Sequence, residues 1–457
     1  MVPRPGKPGL SHLKNKANCY PTLIIKLMKE FGMNSADINT KWRSWEKILF
    51  RFFSVWLLVL SQIAYNPLLE VLGYNYNEQR MILNRPLVGV VSWLDDSLFH
   101  IGYLPDQHAI DFSDTHFGVI LFLAILLVSV IACILWTLFD KKRANYNRIY
   151  YWCSNYLAYY IFLAMITYAV YKVIPIQAHY PTAPELLTRW GDLRNWEILF
   201  RFMGTSPAYC MFCGWLELIA SVLILFNRTR VPGGLLMAIV LVQVVCFNIF
   251  YNNNIILLSG ILLLATIFII AKALPKLFEI FIRLRPVSLA QRQYRFITPW
   301  KKYVMVLICF LPVWKVYTVT KKGWNFYKGH VRNQANQRLY NVMYYRQEND
   351  VIPPLTTDTV RWKYVCFLDY GPDRRQAVIF DMQDNQSALR CRWDSLGKKI
   401  IFAGKDSVSF SYRESLGGKM ELNGYWHGKN TSIQLTRLNV DSLNLVKDKF
   451  LFMQEDQ

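Results

Sequence analysis

The chain has 457 residues, of which 53% are hydrophobic, 15% aromatic and 18% charged, and its mean hydropathy is +0.16. These values exclude an ordinary soluble protein and also a bundle that lies wholly within lipid, so we expect a membrane part joined to a soluble part. The net charge of +21 is spread over the N-terminal segment and the loops between apolar runs, which indicates membrane topology rather than nucleic-acid binding.

Residues 1–47 form a basic N-terminal segment, with nine Lys or Arg against three acids. Its apolar run, Leu23–Met28, is too short for a signal peptide and is broken by Lys26. We predict a short amphipathic helix at residues 20–31 that lies on the membrane surface, and we place Trp42 and Trp45 as interfacial anchors.

Residues 48–319 are predicted to form an α-helical transmembrane bundle of about seven spans. The seven apolar runs are Ile48–Tyr65, His116–Phe139, Tyr150–Ile174, Tyr209–Phe226, Val231–Tyr251, Ile255–Ala271 and Tyr303–Val319. The last run is the weakest because Pro312 and Lys315 interrupt it. Arg51 lies in the first turn of the first run, where its long side chain is expected to reach the lipid headgroups.

The long loop at residues 66–115 contains one more apolar piece, Leu87–Leu104. Asp95 and Asp96 interrupt this piece, so we expect a surface or re-entrant helix there rather than a span.

Loop charges predict the orientation of the bundle. The N-terminal segment and loops 140–149, 228–230 and 272–302 are basic, whereas the alternate loops are not. The positive-inside rule then places the N-terminus in the cytoplasm and the residues after 320 outside.

Polar side chains at membrane depth are the candidate site. Tyr168 and Lys172 lie four residues apart in the third run, Glu217 lies within the fourth, and Asn248 and Tyr251 lie near the end of the fifth. An ionisable group inside a membrane usually faces a partner or a cavity, so the five could line one polar pocket in which Glu217 carries a proton or contacts a ligand. Alternatively, Glu217 and Asn248 only hydrogen-bond between helices, and Lys172 only extends to the membrane surface.

The C-terminal part changes character. Residues 320–360 are predicted to be a stalk or linker, and residues 361–457 an all-β domain outside the membrane. Apolar side chains alternate with polar ones in the β part, as at Val408, Phe410 and Tyr412, which predicts an antiparallel meander folded as a sandwich or small barrel. Cys366 and Cys391 could form a disulfide in an oxidising compartment, a question that the sequence leaves open.

No residue pattern predicts a metal or cofactor site. The histidines are scattered, and Cys210-x-x-Cys213 lies in an apolar run, where packing is the favoured role. Phosphate-binding glycine loops and catalytic triads are not apparent.

Several short motifs resemble those of DoxX-like membrane proteins, including the long form from Bacteroidetes-type bacteria that carries a C-terminal β domain. The motifs are Tyr168-x-x-x-Lys172, Met203-Gly204 with Pro207, Gly214-x-x-Glu217, Arg228 and Arg230 before Gly233-Gly234, and the run from Pro353 to Trp362. The family core has four spans, so three of the predicted spans are additional. The resemblance implies a link to thiosulfate:quinone oxidation or to membrane oxidoreductase complexes.

The sequence supports three hypotheses, and whether the protein is an enzyme stays open. The first is a redox-associated membrane subunit that binds a quinone in a pocket around Glu217, with electrons supplied by a partner subunit. The second is an envelope protein whose membrane part anchors a β domain that binds a periplasmic partner or lipid. The third is a transporter of small molecules or lipids.

Overall fold

The computed structural model describes residues 41–64, 66, 69–70, 72–102, 113–287, 301–371, 374–403 and 407–447. The surface helix expected at residues 20–31 lies outside this part of the chain. The chain divides into two compact units. The first, the helical unit, comprises Met1–Ala169 and Trp215–Val316, and the second, the barrel unit, comprises Val170–Gly214 and Tyr317–Gln457.

Helices account for most of the described chain before residue 337. They are α1 Ser44–Ile63, α2 Tyr76–Leu83, α3 Val88–Leu94, α4 His116–Phe139, α5 Asn147–Val173, α6 Ala183–Leu187, α7 Asn195–Thr205, α8 Pro207–Leu225, α9 Arg230–Phe250, α10 Ile256–Ile270, α11 Leu274–Phe281 and α12 Lys301–Asn336.

Four of the described helices, α4, α5, α8 and α9, are long and apolar enough to cross a membrane. A fifth span is added if α10 and α11, which meet at a bend of 73°, are counted together. Helix α1 carries Glu46, Lys47 and Arg51 and does not meet the same criterion. A helical part with four or five candidate spans is confirmed, whereas the count of seven spans stays a prediction.

Side-chain caps fix the ends of two apolar helices. The hydroxyl of Thr115 accepts a hydrogen bond from the Gly118 N–H at 3.1 Å and starts α4. The carboxylate of Asp114 accepts the N–H groups of Ile256 and Leu257 at 2.8 and 2.9 Å, which caps α10. A carboxylate at a helix N-terminus satisfies otherwise unpaired donors and favours the helix dipole, so Asp114 ties the start of α4 to the start of α10.

Two glycines allow α9 to pack closely. A Cβ added at Gly233 would lie 2.6 Å from the backbone of Leu223, and one added at Gly234 would overlap the side chain of Ile270. Both positions are far inside van der Waals contact, so only glycine permits the first turn of α9 to lie against α8 and α10.

The expectation for Arg51 was wrong. Its side chain is 4% exposed and donates to the Tyr146 hydroxyl at 2.7 and 3.0 Å, to the Thr137 hydroxyl at 2.8 Å and to the Asp140 carbonyl at 2.9 Å. The Tyr146 hydroxyl donates in turn to the Asp140 carboxylate at 3.0 Å. Because these acceptors lie beside it, the guanidinium gains more from protein hydrogen bonds than from the headgroup region.

The apolar piece around Asp95 forms α3 and a following turn, Asp95–Phe99, that is wound as a π-helix. Asp95 is 3% exposed, and its carboxylate accepts the N–H groups of Ile101 and Gly102 at 2.6 and 2.9 Å. Asp95, which interrupts the apolar run in the sequence, therefore ends α3. Its carboxylate caps the turn that follows the helix.

The C-terminal strands close into an antiparallel barrel. They are β1 Arg338–Gln347, β2 Asp350–Val351, β3 Trp362–Asp369, β4 Arg375–Asp381, β5 Gln386–Asp394, β6 Lys399–Ala403, β7 Val408–Ser415, β8 Lys419–Trp426 and β9 Lys429–Leu438. The order is β2-β1-β3-β4-β5-β6-β7-β8-β9, and β1 also pairs with β9, so eight strands form the closed wall and β2 extends β1 at one end. This confirms the predicted antiparallel meander and selects the closed barrel from the alternatives.

Large apolar side chains fill the inside of the barrel. Trp362 meets Trp426 edge to face at a ring distance of 5.0 Å, and it also contacts Phe402 and Phe410. Val365, Ile400, Phe410, Leu422 and Ile433 are all fully buried in the same cluster. Eight strands enclose just enough space for side chains to fill, so this interior is a core.

The barrel begins within the predicted stalk, at Arg338 rather than at Arg361. A bulge between Val342 and Tyr344 shifts the register of β1, so the period-two pattern breaks and does not show in the sequence. Arg361 is 3% exposed and donates to the carbonyls of Val342 and Met343 beside this bulge, at 3.2 and 3.3 Å.

The two cysteines of the barrel are free thiols. Cys366 on β3 packs in an outward-facing cluster with Val378 and Phe380, whereas Cys391 on β5 packs inside the barrel. Burial raises the pKa of Cys366 to about 12 and that of Cys391 to about 11.

Residues 174–206 belong to the barrel unit and cover part of its outer wall. Ala183 is fully buried in the cluster that contains Leu339 and Phe380, and its N–H donates to Gln337 Oε1 at 2.9 Å. Arg189 forms an ion pair with Asp384, which also binds Lys363 Nζ at 2.6 Å. We call residues 174–206 the strap.

Candidate functional site

Glu217 lies within α8 and is 2% exposed. One turn later, the hydroxyl of Ser221 donates to the Glu217 carbonyl at 2.7 Å. The carboxyl group is therefore held in the interior of the helical unit and does not point to lipid. This is the position that both the proton-carrying and the helix-linking hypotheses require.

Tyr168, in α5, is brought into the same site. Its hydroxyl interacts electrostatically with the carboxyl groups of Glu70 and Glu217. Tyr168 and Glu217 are both members of the predicted pocket, whereas Glu70 was not expected there.

Glu70 is paired with Lys315, a residue of α12 that is fully buried. The Glu70 side chain is 19% exposed, so the ion pair reaches from the interior towards the surface. In the sequence, Lys315 interrupts the last apolar run. A single lysine in an otherwise apolar helix was nevertheless a usable signal, because a buried ammonium needs an acidic partner.

Asn248 has the helix-linking role. Its amide donates to the Ser259 hydroxyl at 3.0 Å and to the Ile255 carbonyl at 3.4 Å, and it accepts from Asn253 at 3.0 Å. These bonds join the end of α9 to the start of α10. Tyr251 is the residue that ends α9, and its ring lies 6.2 Å from that of Phe247.

Lys172 lies in the last turn of α5 and is 9% exposed. It belongs to the barrel unit, whereas Tyr168 and Glu217 belong to the helical unit. Of the five candidate residues, the helical unit therefore brings together Tyr168 and Glu217, and it adds Glu70 and Lys315.

Two further tyrosines extend this polar region along α5. The Tyr156 hydroxyl lies 3.2 Å from the Ser61 hydroxyl of α1 and also binds Gln62. Tyr160, one turn on, is 3% exposed and interacts electrostatically with both Tyr156 and Tyr168.

Histidines meet at one place in the barrel unit. The rings of His179 and His330 stack with their centres 4.4 Å apart, and Glu185 Oε1 lies 3.9 Å from His179 Nε2. Burial and the neighbouring His179 lower the pKa of His330 to about 4, although Glu185 acts in the opposite direction. Within the described residues no group of three or more His, Cys, Asp or Glu is arranged to hold a metal ion.

The site in the helical unit holds two carboxyl groups, one ammonium and one phenol. Lys315 can balance the charge of one carboxylate, so full ionisation would leave a net negative charge in an apolar interior. No protein-family model, curated protein or solved structure matches the chain, so a function for this site has to be inferred from its geometry.

Proposed function

We propose that the protein is a DoxX-like integral protein of a bacterial inner membrane, with a cytoplasmic N-terminus and a periplasmic barrel. The alternation of basic and non-basic loops supports this orientation, because basic loops are retained on the cytoplasmic side. The apolar helices α4, α5, α8 and α9 support the membrane location.

Within this frame we propose a quinone-linked membrane subunit that exchanges a proton at Glu217. The juxtaposition of Glu217, Tyr168 and the Glu70–Lys315 ion pair in the helical unit carries the proposal. A quinone takes up two electrons and two protons when it becomes a quinol. Glu217 would supply the two protons in succession and would be reprotonated from water between them, Tyr168 would donate a hydrogen bond to the quinone oxygen, and a redox partner subunit would supply the two electrons.

The test compares the wild-type protein with Glu217→Gln after gentle detergent extraction. We expect the wild type to retain quinone and to show the infrared carbonyl band of a protonated carboxylic acid. The variant should lose both signals while still inserting into the membrane. Glu197→Gln is the matched control, because Glu197 accepts the Arg194 N–H at the start of α7 and glutamine can do the same. Unchanged quinone content and an unchanged band in Glu217→Gln would contradict the proposal.

A second candidate function is anchoring of a partner-binding domain. The packed barrel interior favours it over lipid binding, since side chains fill the space that a lipid chain would need. Any partner would then bind the outer surface of the barrel unit. Under this alternative, deletion of residues 320–457 abolishes co-purification of one envelope protein, whereas Glu217→Gln has no effect on it.

A further inference from the structure

The turn between α8 and α9 holds a buried arginine. Arg230 is 2% exposed. Its Nε donates to the Ile224 carbonyl at 3.2 Å, and its Nη2 donates to Asn155 Oδ1 at 2.7 Å and to the Leu225 carbonyl at 3.4 Å. The guanidinium therefore lies where α8 ends, where carbonyl groups present a partial negative charge of about half a unit.

These contacts leave part of the guanidinium unsatisfied. Its Nη1 is buried and has no hydrogen-bond acceptor among the described residues, and no carboxylate of that part of the chain forms an ion pair with it. A buried cation without an anionic partner is strongly destabilising. The end of α8 compensates for only part of the charge, so the position favours an additional anion.

The same turn holds a second unsatisfied group. Asn227 Nδ2 donates to the Tyr151 hydroxyl at 3.2 Å, whereas its Oδ1 is buried and accepts no hydrogen bond from the described residues. Tyr151 and Asn155 are one turn apart on α5, linked by a bond of 2.9 Å from Asn155 to the Tyr151 carbonyl. One helical turn rises about 5 Å, so the residues of α5 that bond to Asn227 and to Arg230 are about that far apart along the helix.

We propose that Arg230 and Asn227 bind the headgroup of an anionic phospholipid whose phosphate is followed by a hydroxyl group, as in a phosphoglycerol headgroup. The phosphate oxygen accepts from Arg230 Nη1, and the hydroxyl donates to Asn227 Oδ1. A phosphate ester with a neighbouring hydroxyl satisfies both groups, whereas a choline headgroup has no hydroxyl to donate.

The position in the chain supports a lipid as the source of this phosphate. Arg230 is the first residue of α9 and follows closely on the last residue of α8, and both helices are candidate spans. The turn must therefore lie at a membrane surface, and the basic loops predict that this is the surface of the anionic inner leaflet. Exposed Arg228 adds positive charge beside the turn.

The experiment measures the thermal unfolding of the full chain in detergent as lipid is added. Phosphatidylglycerol should raise the Tm of the wild type, whereas phosphatidylcholine and inorganic phosphate should not. Arg230→Gln should weaken the apparent affinity for phosphatidylglycerol by about tenfold or more, because a charged hydrogen bond is lost. Arg228→Gln is the matched control, since this exposed arginine makes no comparable buried contact, and it should keep most of the response.

The Asn227→Ala variant keeps Arg230, so it provides a second test of the site if the Arg230→Gln variant does not fold. It should remove the preference for phosphatidylglycerol over phosphatidic acid, which lacks the headgroup hydroxyl. An equal Tm shift with phosphatidylcholine, or a full shift with inorganic phosphate, would overturn the lipid site. An Asn227→Ala variant that keeps the wild-type preference would do the same.

Discussion

At the scale of single residues, the Glu70–Lys315 pair is asymmetric. Lys315 is fully buried, whereas the Glu70 side chain is 19% exposed. Loss of the carboxylate therefore leaves a buried charge without compensation, whereas loss of the ammonium leaves a carboxylate that water can still reach. The two single substitutions should then differ in cost although they break the same ion pair.

Glu70→Gln should lower the free energy of unfolding by about 3–5 kcal/mol, and Lys315→Met by about 1 kcal/mol. The double variant should lie nearer to the wild type than Glu70→Gln alone. Thermal unfolding in detergent measures all three. Glu279→Gln, which breaks the exposed pair with Arg283, should cost no more than about 1 kcal/mol. Equal losses for the two single variants would contradict the assigned burial.

His330 predicts a pH dependence of the barrel unit. Its pKa is about 4 in the folded protein against 6.5 for an unperturbed histidine, so the unfolded chain binds more protons below pH 6.5. Stability should therefore fall as the pH drops from about 6.5 to about 4 and should level off below that. The groups that face the ring are His179, Glu185 and the ring of Tyr370.

The protection factors of the strap amides, which are exchange rates corrected for the intrinsic pH dependence of exchange, should follow this trend and be lower at pH 5 than at pH 7. His330→Asn should flatten the difference, because the titrating ring is gone. His427→Asn is the control, since His427 is exposed at the turn between β8 and β9 and asparagine tolerates its left-handed backbone. The same pH effect in His330→Asn as in the wild type would exclude this ring as its source.

At the scale of elements, Gly233 and Gly260 form a matched pair. Gly233 meets the backbone of α8, whereas a Cβ added at Gly260, within α10, has nothing within 4 Å. Gly233→Ala should lower the free energy of unfolding by about 1–3 kcal/mol, because two helices must separate. Gly260→Ala should be neutral or should stabilise by up to about 1 kcal/mol, because alanine favours the helix. Thermal unfolding distinguishes the two, and a stable Gly233→Ala would contradict the close packing.

Runs of apolar residues and the alternation of apolar with polar residues predicted most of the helices and strands, because both patterns are formed by residues that are neighbours in the chain. The apolar run that begins at His116 is a helix, and the alternation at Val408 lies in a barrel strand. The start of the barrel was missed because a bulge breaks the pattern in β1. Half of the site was missed for another reason: Glu70 and Lys315 come from opposite ends of the helical part, and no local pattern reports a contact at that separation.

The burial of Glu217 could be predicted from the chemistry of its own side chain. A carboxyl group in an apolar run has few stable environments, and burial in the helical unit is the one found. Asn248 and Tyr251 could not be assigned in this way. An amide side chain is as readily satisfied by a neighbouring helix as by a ligand, and the partner of Asn248 is Ser259.

At the scale of the whole molecule, the proposed topology can be tested with fusions. A reporter that is active only outside the cytoplasm should work after Gln457 and should fail after Arg143 or Arg285. This result is expected from the basic loops that precede each of the two inner positions. Activity of the fusion at Arg285 would overturn the orientation and the count of seven spans.

The strap sets an order of events during synthesis. Its Ala183 meets Gln337, 154 residues later in the chain, so the strap leaves the ribosome long before its acceptor exists. The barrel itself cannot close until β9, its last strand, has reached β1. Until then Ala183, and later Cys366 and Phe380 once they have been synthesised, face solvent, and such exposed apolar groups offer a binding site for a chaperone. The strap and the barrel wall therefore reach their final packing only after β9 has been synthesised. Truncations that remove β9 should make residues that were translated much earlier, such as Ala183, sensitive to proteolysis.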